Sequence, residues 1–398
     1  MRRTRWVVAV TWYAGAAHAV AAQTTLLHSA AWSASPTASV WHFATPLPQS
    51  GGDLADVAET AMPFRVRFIR NNWSADLTGA AAFGAVRFTT SSGDGRLLTI
   101  AGPTDIKLRV SGPLLSDLTL LTVGVNVPTG KSNLNSEETS VLQVLAAPAL
   151  QMPTVSFGIG LGVTVGLLRA FKGDGWAVAI GASGERRSEY SPVALALSSG
   201  TSETKLTPGL AAHVTVGLDR TMGQGRLSML LVGDAYSEDK VRIGGLPAAD
   251  SSNDYTLGPQ LSGTMQYEFG AAGWRESSIS VGARARTQYA DAVGAKVAGS
   301  SGTYFEGALN AVRGGPEGAG LIIGTDARWH SGLSFTEAMV GAAVSAVGIT
   351  LGVDRAGHST STRFVVRGSY GTFDTGASRS AGMGLTVGFS IGARREAQ

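Results

Sequence analysis

The sequence contains no cysteine, which excludes disulfides, thiolate metal centres and thiol nucleophiles. The compartment stays open on that count alone. Charge is also scarce: charged residues make up 15% of the 398-residue chain, which is low for a soluble globular protein. Nor does either sign dominate. Arg2, Arg3 and Arg5 fall within an expected export signal, and without them 29 basic residues face 29 acidic ones. A near-neutral mature chain has no general pull toward nucleic acid. Beyond the N-terminus there is no apolar run of the ~20 residues that a membrane-spanning helix needs. What the chain does have is 44% hydrophobic residues and 53 glycines.

Residues 1–22 show the parts of a secretory signal: the three arginines, a mostly apolar stretch from Trp6 to Ala17, and small residues at Ala17-His18-Ala19 and Val20-Ala21-Ala22. Cleavage is expected after Ala22, making Gln23 the first mature residue. A membrane-anchoring helix is the competing reading, and the run is short for one.

From Pro63 onward the apolar pattern has a period of two rather than 3.6. In Val155 to Leu167 every odd position is apolar, with Ser, Gly and Thr between. A helix would scatter this set around its circumference, whereas a strand collects it on one face. Leu121 to Val127, Leu261 to Phe269, Ile279 to Ala285, Leu321 to Trp329 and Leu385 to Ala393 repeat the pattern. Soluble sandwiches alternate too, but their strands average about 5–6 residues, and many of these are longer. Aromatics near the expected strand ends (Trp73, Trp176, Trp274, Trp329, Tyr190, Tyr236, Tyr255 and Tyr289) fit interfacial girdles. The expectation is an all-β fold: a transmembrane antiparallel β-barrel of 12–14 strands over residues 61–398, in the bacterial outer membrane. Residues 23–60 alternate poorly and hold Pro36, Pro46, Pro48 and Gly51-Gly52. They are read as an N-terminal extension or a luminal plug. The Gly-lined face of 155–167 would leave room for a plug, or those glycines would let the sheet bend.

Three stretches carry a family resemblance. One is Glu59-Thr60-Ala61-Met62-Pro63-Phe64-Arg65-Val66-Arg67-Phe68 with Asn72-Trp73-Ser74. Another is Ser116-Asp117-Leu118-Thr119-Leu120 with Val125-Asn126-Val127-Pro128-Thr129-Gly130-Lys131 and Glu137-Glu138-Thr139. The third is the C-terminal strand. Together they resemble a family of outer-membrane barrels, transporters linked to phenol meta-pathway degradation and akin to the fatty-acid and aromatic-hydrocarbon channels. The resemblance covers about half of the chain in short pieces. It implies a passive, channel-like role, with hydrophobic or aromatic compounds among the implied solutes.

If the odd positions face lipid, their partners face the lumen. That places Arg65, Arg67, Lys107, Arg109, Glu268, Arg284, Arg286, Glu306, Asp326, Arg328 and Arg367 inside. Two readings of this set stay open. It is either a charged constriction that selects solutes or an internal salt-bridge ladder that fills the barrel. The mixed signs favour the ladder, and the basic excess keeps an anion preference alive.

A hydrolase in the barrel wall is the main competing class and would need a His beside a nucleophile or a carboxylate. The mature chain offers His28, His42, His213, His330 and His358. His213 should project into the lumen, and His330 should lie solvated at a strand end. No motif ties a Ser, Asp or Asn to either. Gly158, Gly160 and Gly162 would alternate within a strand with no helix following, unlike a nucleotide-binding loop. Asp250 to Asp254 reads as a polar surface loop, Pro128-Thr129-Gly130 as a turn at a strand end, and Glu137 and Glu138 as solvated loop charges. No enzymatic activity, catalytic residue, metal or cofactor is expected. Expected partners are outer-membrane lipid, the barrel-assembly machinery and a small-molecule solute, with no nucleic acid. The alternative is a structural or surface-binding barrel with a closed lumen.

Overall fold

The computed structural model describes residues 29–396 apart from 49–51, 90–94, 115, 155, 198–199, 245–252, 272, 315–317, 333–342, 358 and 376–377. The expected export signal, His28 and His358 lie outside the described residues.

The chain forms a closed antiparallel barrel of 16 strands. β1 comprises Ser29–Ala34 and Thr37–Leu47; β2 is Asp53–Arg70 and β3 is Trp73–Thr89. β4 comprises Gly95–Pro103 and Ile106–Pro113, followed by β5 (Thr119–Val127), β6 (Gly162–Gly173) and β7 (Trp176–Arg187). Next come β8 (Ala211–Met222), β9 (Gly225–Tyr236), β10 (Gln260–Glu268) and β11 (Trp274–Arg286). The wall ends with β12 (Gly302–Arg313), β13 (Gly318–Gly332), β14 (Ala343–Ala356), β15 (Thr360–Asp374) and β16 (Arg379–Glu396).

The expected 12–14 strands fall short of 16, and one of those missed is β1, which lies in the segment read as an extension or plug. β1 closes the barrel: Trp41 sits opposite Val57 of β2 on one side and opposite Gly384 of β16 on the other. Closure leaves no sheet edge whose polar groups would face hydrocarbon unpaired. The period of two was present at Ser39, Trp41 and Phe43 but is interrupted at Ser35-Pro36. There the ladder continues through Ser35 N–H to the Pro63 carbonyl (3.0 Å) and Phe389 N–H to the Pro36 carbonyl (2.9 Å).

The outer surface carries the alternation. Val163, Val165 and Leu167, then Leu321 and Ile323, then Ile349, Leu351 and Val353, then Leu385, Val387 and Phe389 are all exposed. In lipid this apolar band is the solvated state, so these residues do not seek a core. Trp73 lies over Gly112 and Trp176 over Gly173 of neighbouring strands, where a β-carbon would collide with the indole. Both rings stay on the outer rim beside tight turns, as an interfacial girdle requires. Tyr236 departs from the girdle expectation: it points inward, beneath the Arg286 guanidinium 5.7 Å from its ring centroid.

The two ends differ. β2 and β3 are joined by Asn71-Asn72, both at positive φ (49° and 66°), as a tight I′ hairpin turn needs. Asp174-Gly175 and Gly223-Gln224 are equally short turns at the same end. The connections 128–161, 188–210, 237–259 and 287–301 lie at the other end. Tyr190–Leu197, Gly200–Thr207 and Lys240–Ile243 build a separate three-stranded sheet there. Short turns on one side and long connections on the other match the periplasmic and extracellular ends of outer-membrane barrels.

Candidate functional site

The lumen is divided in two by the connection from β5 to β6. It turns inward, forms helix α1 (Ser136–Leu145) and a single 3₁₀ turn (Pro148–Leu150), and returns to the wall at Gly162. Thus the expected strand over 155–167 begins only at Gly162. The residues before it, Gly158 and Gly160 among them, belong to the plug. A β-carbon at Gly158 would press on the backbone of Gly130 and Lys131, and Gly160 sits at φ +81°. Close backbone approach, not a nucleotide, accounts for these glycines.

The plug has its own apolar contact with the wall. Val141, Val144, Leu145, Ala149, Leu150, Met152 and Phe157 are buried against inward residues including Trp41, Phe43, Val57, Val86, Ile100, Val344 and Phe373. Phe43 and Trp41 meet Phe373 edge-on, with centroids 5.0 and 5.6 Å apart. Each fully buried side chain of this size contributes about 2 kcal/mol. Glycines on the wall make the room: a β-carbon at Gly84 would collide with Leu145, and one at Gly384 with Trp41.

Polar contacts fix the plug at its ends. Asp105 sits where β4 is interrupted and accepts from Gly130 N–H (2.8 Å), Ile159 N–H (2.8 Å) and Asn126 Nδ2 (2.7 Å). It therefore ties both arms of the connection together, and Pro128-Thr129-Gly130 is the turn by which the chain leaves β5. Asn135 and Glu138 form a capping box at the start of α1, which satisfies amide groups left over by the first helical turn. Glu137 pairs with Arg96 at 2.5 Å and Glu138 with Lys131. These two acids are thus helix residues with partners, where solvated loop charges were expected. Trp41 Nε1 donates to the Leu150 carbonyl (3.1 Å) and Arg328 Nε to the Ala149 carbonyl (2.6 Å). Beneath the plug the Glu59 side chain is fully buried, a residue that its surroundings in the sequence did not single out.

The candidate luminal residues all occupy inward register positions, but they do not form one constriction. Arg65 bonds Asp76 (2.8 Å through Nε) and Arg67 lies 3.8 Å from the same carboxylate. Asp326 accepts from Arg328 (2.9 Å) and, through both oxygens, from Arg367 (2.8 and 2.5 Å). Asp354 pairs with Arg275 and lies 3.9 Å from Arg363. Each of these three carboxylates therefore serves two guanidiniums, leaving local positive charge. Glu306 accepts from the Tyr304 hydroxyl (2.9 Å), Glu268 accepts from Gln266 (3.0 Å), and Arg284 stands 5.6 Å over the Tyr304 ring. Lys107 and Arg109 differ from the rest: both are exposed to the lumen, and neither has an ion pair or side-chain hydrogen bond among the described residues.

The wall from β5 to β8 has another character. Its inward residues include Thr122, Gly124, Thr164, Gly166, Ala179, Gly181, Ser183, Thr215 and Gly217. A β-carbon at Gly124 would meet nothing closer than 3.5 Å, and one at Gly217 nothing closer than 3.8 Å. At Gly84 a plug side chain fills the place of the missing one; at Gly124 and Gly217 the nearest atoms all belong to neighbouring wall strands, at ordinary contact distance, and none to the plug.

His213 Nδ1 lies 2.7 Å from Asp234 Oδ1, and Gln260 Nε2 donates to the other oxygen at 3.0 Å. A His-carboxylate pair thus exists, with Ser183 opposite His213 on β7. Among the described residues no hydroxyl is hydrogen-bonded to the imidazole. His330, expected to be solvated, is fully buried and faces inward between Tyr304 and Val344. Asp354, Arg363, Glu185 and Arg187 are luminal groups that the alternation encodes but the candidate set omitted, whereas Arg275 sits at the irregular pairing between Trp274 and Glu276, which alternation does not record.

No protein-family model matches the chain, and no curated protein matches it. Among solved structures, a bacterial polysaccharide outer-membrane secretin aligns at a TM-score of 0.45 and 12% identity, covering 94% of this chain and 100% of that one. OccK11 (OpdR) of Pseudomonas aeruginosa aligns at 0.44 and 11%, covering 93% and 96%. An anion-selective porin from Comamonas acidovorans aligns at 0.37 and 10%, covering 93% and 99%. These scores lie below 0.5, and the barrel rests on its own strand pairing rather than on them. The link to phenol meta-pathway transporters finds no counterpart among these proteins.

Proposed function

We propose that the chain is a passive outer-membrane channel in which a small solute passes between the plug and the wall of β5 to β8. The observation that carries this reading is the contrast between the two halves of the lumen. One half is filled by a side-chain core. The other is faced largely with Gly, Ala, Ser and Thr, and a β-carbon at Gly124 or Gly217 would meet only wall atoms and none of the plug. Such a polar, shallow wall suits hydrated solutes. The hydrophobic or aromatic compounds that the family resemblance implies would find few apolar contacts there. The outward apolar band would contact outer-membrane lipid, and the barrel-assembly machinery would insert the chain there.

A second reading is favoured by the buried plug core: a structural or surface-binding barrel whose lumen stays shut. Single-channel recording of the refolded mature protein in a planar bilayer separates the two. Steady conductance at low voltage supports the channel. A silent barrel that conducts only when residues 134–157 are replaced by a short linker supports the shut form.

A further inference from the structure

Lys107 and Arg109 lie about 7 Å apart along one face of a strand, two like charges side by side on an inner wall. Their surroundings form two short rows across four strands. Lys107 is level with Asn126, Gly162 and Arg187; Arg109 is level with Gly124, Thr164 and Glu185. Gly124 therefore puts bare backbone between Arg109 and the Thr164 side chain, which stands 3.5 Å from where a β-carbon would be.

The carboxylates nearest to these cations are already engaged. Asp105 accepts three hydrogen bonds from the plug and Asn126. Glu185 accepts from Arg187 at 2.5 Å. Asp76, level with Arg109 on β3, is shared by Arg65 and Arg67. Among the described residues no acid is paired with Lys107 or Arg109. Both head groups reach luminal water beside the point where the plug leaves the wall, so any solute using the open half of the lumen passes them. Elsewhere in the lumen the described arginines pair with a carboxylate, stand over a tyrosine ring or hold the plug.

We infer that Lys107 and Arg109, beside the bare backbone of Gly124, form a binding site for a small oxoanion, a carboxylate or phosphate group, on the permeation path. An anion there satisfies donors on both cations at once, and charge-assisted bonds to guanidinium are the strong kind. The Thr164 hydroxyl, level with Arg109 two strands away, offers a neutral donor. This rests on the channel reading for its place on a path, though not for its chemistry.

The test uses the full mature protein and the variant Lys107→Gln/Arg109→Gln, with the outward-facing Arg186→Gln as control. Reversal potentials are measured in a KCl gradient, then conductance is titrated with benzoate and, separately, inorganic phosphate. The expected result is an anion preference and concentration-dependent block by at least one probe, weakened about tenfold or more in the double variant and unchanged in the control. Block by benzoate alone makes the site a carboxylate site; block by both makes it a general oxoanion site. A double variant that conducts with unaltered selectivity and block overturns the site and leaves the channel reading intact. If the wild type does not conduct, the channel reading fails. The site is then judged by calorimetric binding of the same two probes to the detergent-solubilised protein. Equal or absent binding in wild type and double variant overturns it.

Discussion

The indole nitrogen of Trp41 donates to the carbonyl of Leu150, 109 residues further along, at 3.1 Å. This joins the first strand of the barrel to the innermost turn of the plug. The ring itself is buried, packed on Phe373 and lying 5.8 Å from the Arg328 guanidinium, which holds the neighbouring Ala149 carbonyl. Trp41→Ala should cost about 3–5 kcal/mol of local packing, felt by the plug and not by the strand ladder. Amide exchange within α1 should accelerate markedly while exchange in β8 to β12 stays slow. Uniform acceleration around the barrel would mean that the plug is not a separate unit.

Replacing residues 134–157 by a short Gly/Ser linker should raise conductance several-fold. The mechanism is geometric: the linker empties the half of the lumen now occupied by the core around Leu145 and Phe157. Because closure depends on β1 and β16, the shortened protein should still fold and resist proteolysis. Loss of folding would show that the wall needs the plug as a scaffold.

Much of the barrel was legible because lipid and lumen impose opposite chemistry on alternate residues, as in Leu321 to Trp329 and Leu385 to Ala393. The inward direction of Arg65, Lys107, Arg284 and Asp326 followed from the same parity. Two things were hidden. β1 has an apolar inner face, Trp41 and Phe43, because the plug covers it, so its alternation does not read as polar inside and greasy outside. The plug itself looked like strand because Val155 to Ile159 happen to alternate before β6 begins. Pairwise facts such as Asp105 closing on Gly130 and Ile159 depend on long-range folding that no local pattern records.

Asp326→Asn should destabilise the wall and shift its charge together. The carboxylate serves Arg328, whose side chain is buried, and Arg367. Removing one member of a buried ion pair costs about 3–5 kcal/mol because the partner charge stays desolvated. The melting temperature in detergent should fall, and an intact channel should show a higher anion preference. A shift in selectivity with no loss of stability would mean that these arginines are hydrated.

The His213–Asp234 pair should not support ester hydrolysis. Among the described residues no hydroxyl is hydrogen-bonded to the imidazole, and Ser183, opposite it on the adjacent strand, makes no hydrogen bond to it. A fluorophosphonate probe should leave Ser183 unlabelled in wild type and in Asp234→Asn alike. Labelling that disappears in Asp234→Asn would establish an activated serine and reverse this reading.

The last prediction concerns pH in the outer connections. Asp254 is buried beneath Lys240–Ile243, and it accepts from Val241 N–H at 2.8 Å and Arg242 Nη1 at 2.7 Å. Burial raises its carboxyl pKa, but the Arg242 contact and the backbone donor outweigh burial and hold it below the ordinary value of 3.8. An acid whose folded value is depressed gives stability that is fully present above its unfolded value and is lost as pH falls through the folded value. Asp239 nearby has the opposite sign: burial raises its carboxyl despite the Gly209 amide, so acid relieves a cost there. Exchange of the Val241 amide should therefore be slow at neutral pH, with Asp254→Asn exchanging faster. As pH falls well below 3.8 the two proteins should converge, because the wild-type carboxylate is then being protonated. A difference that persists undiminished in strong acid would show that the ion pair is not what orders this connection.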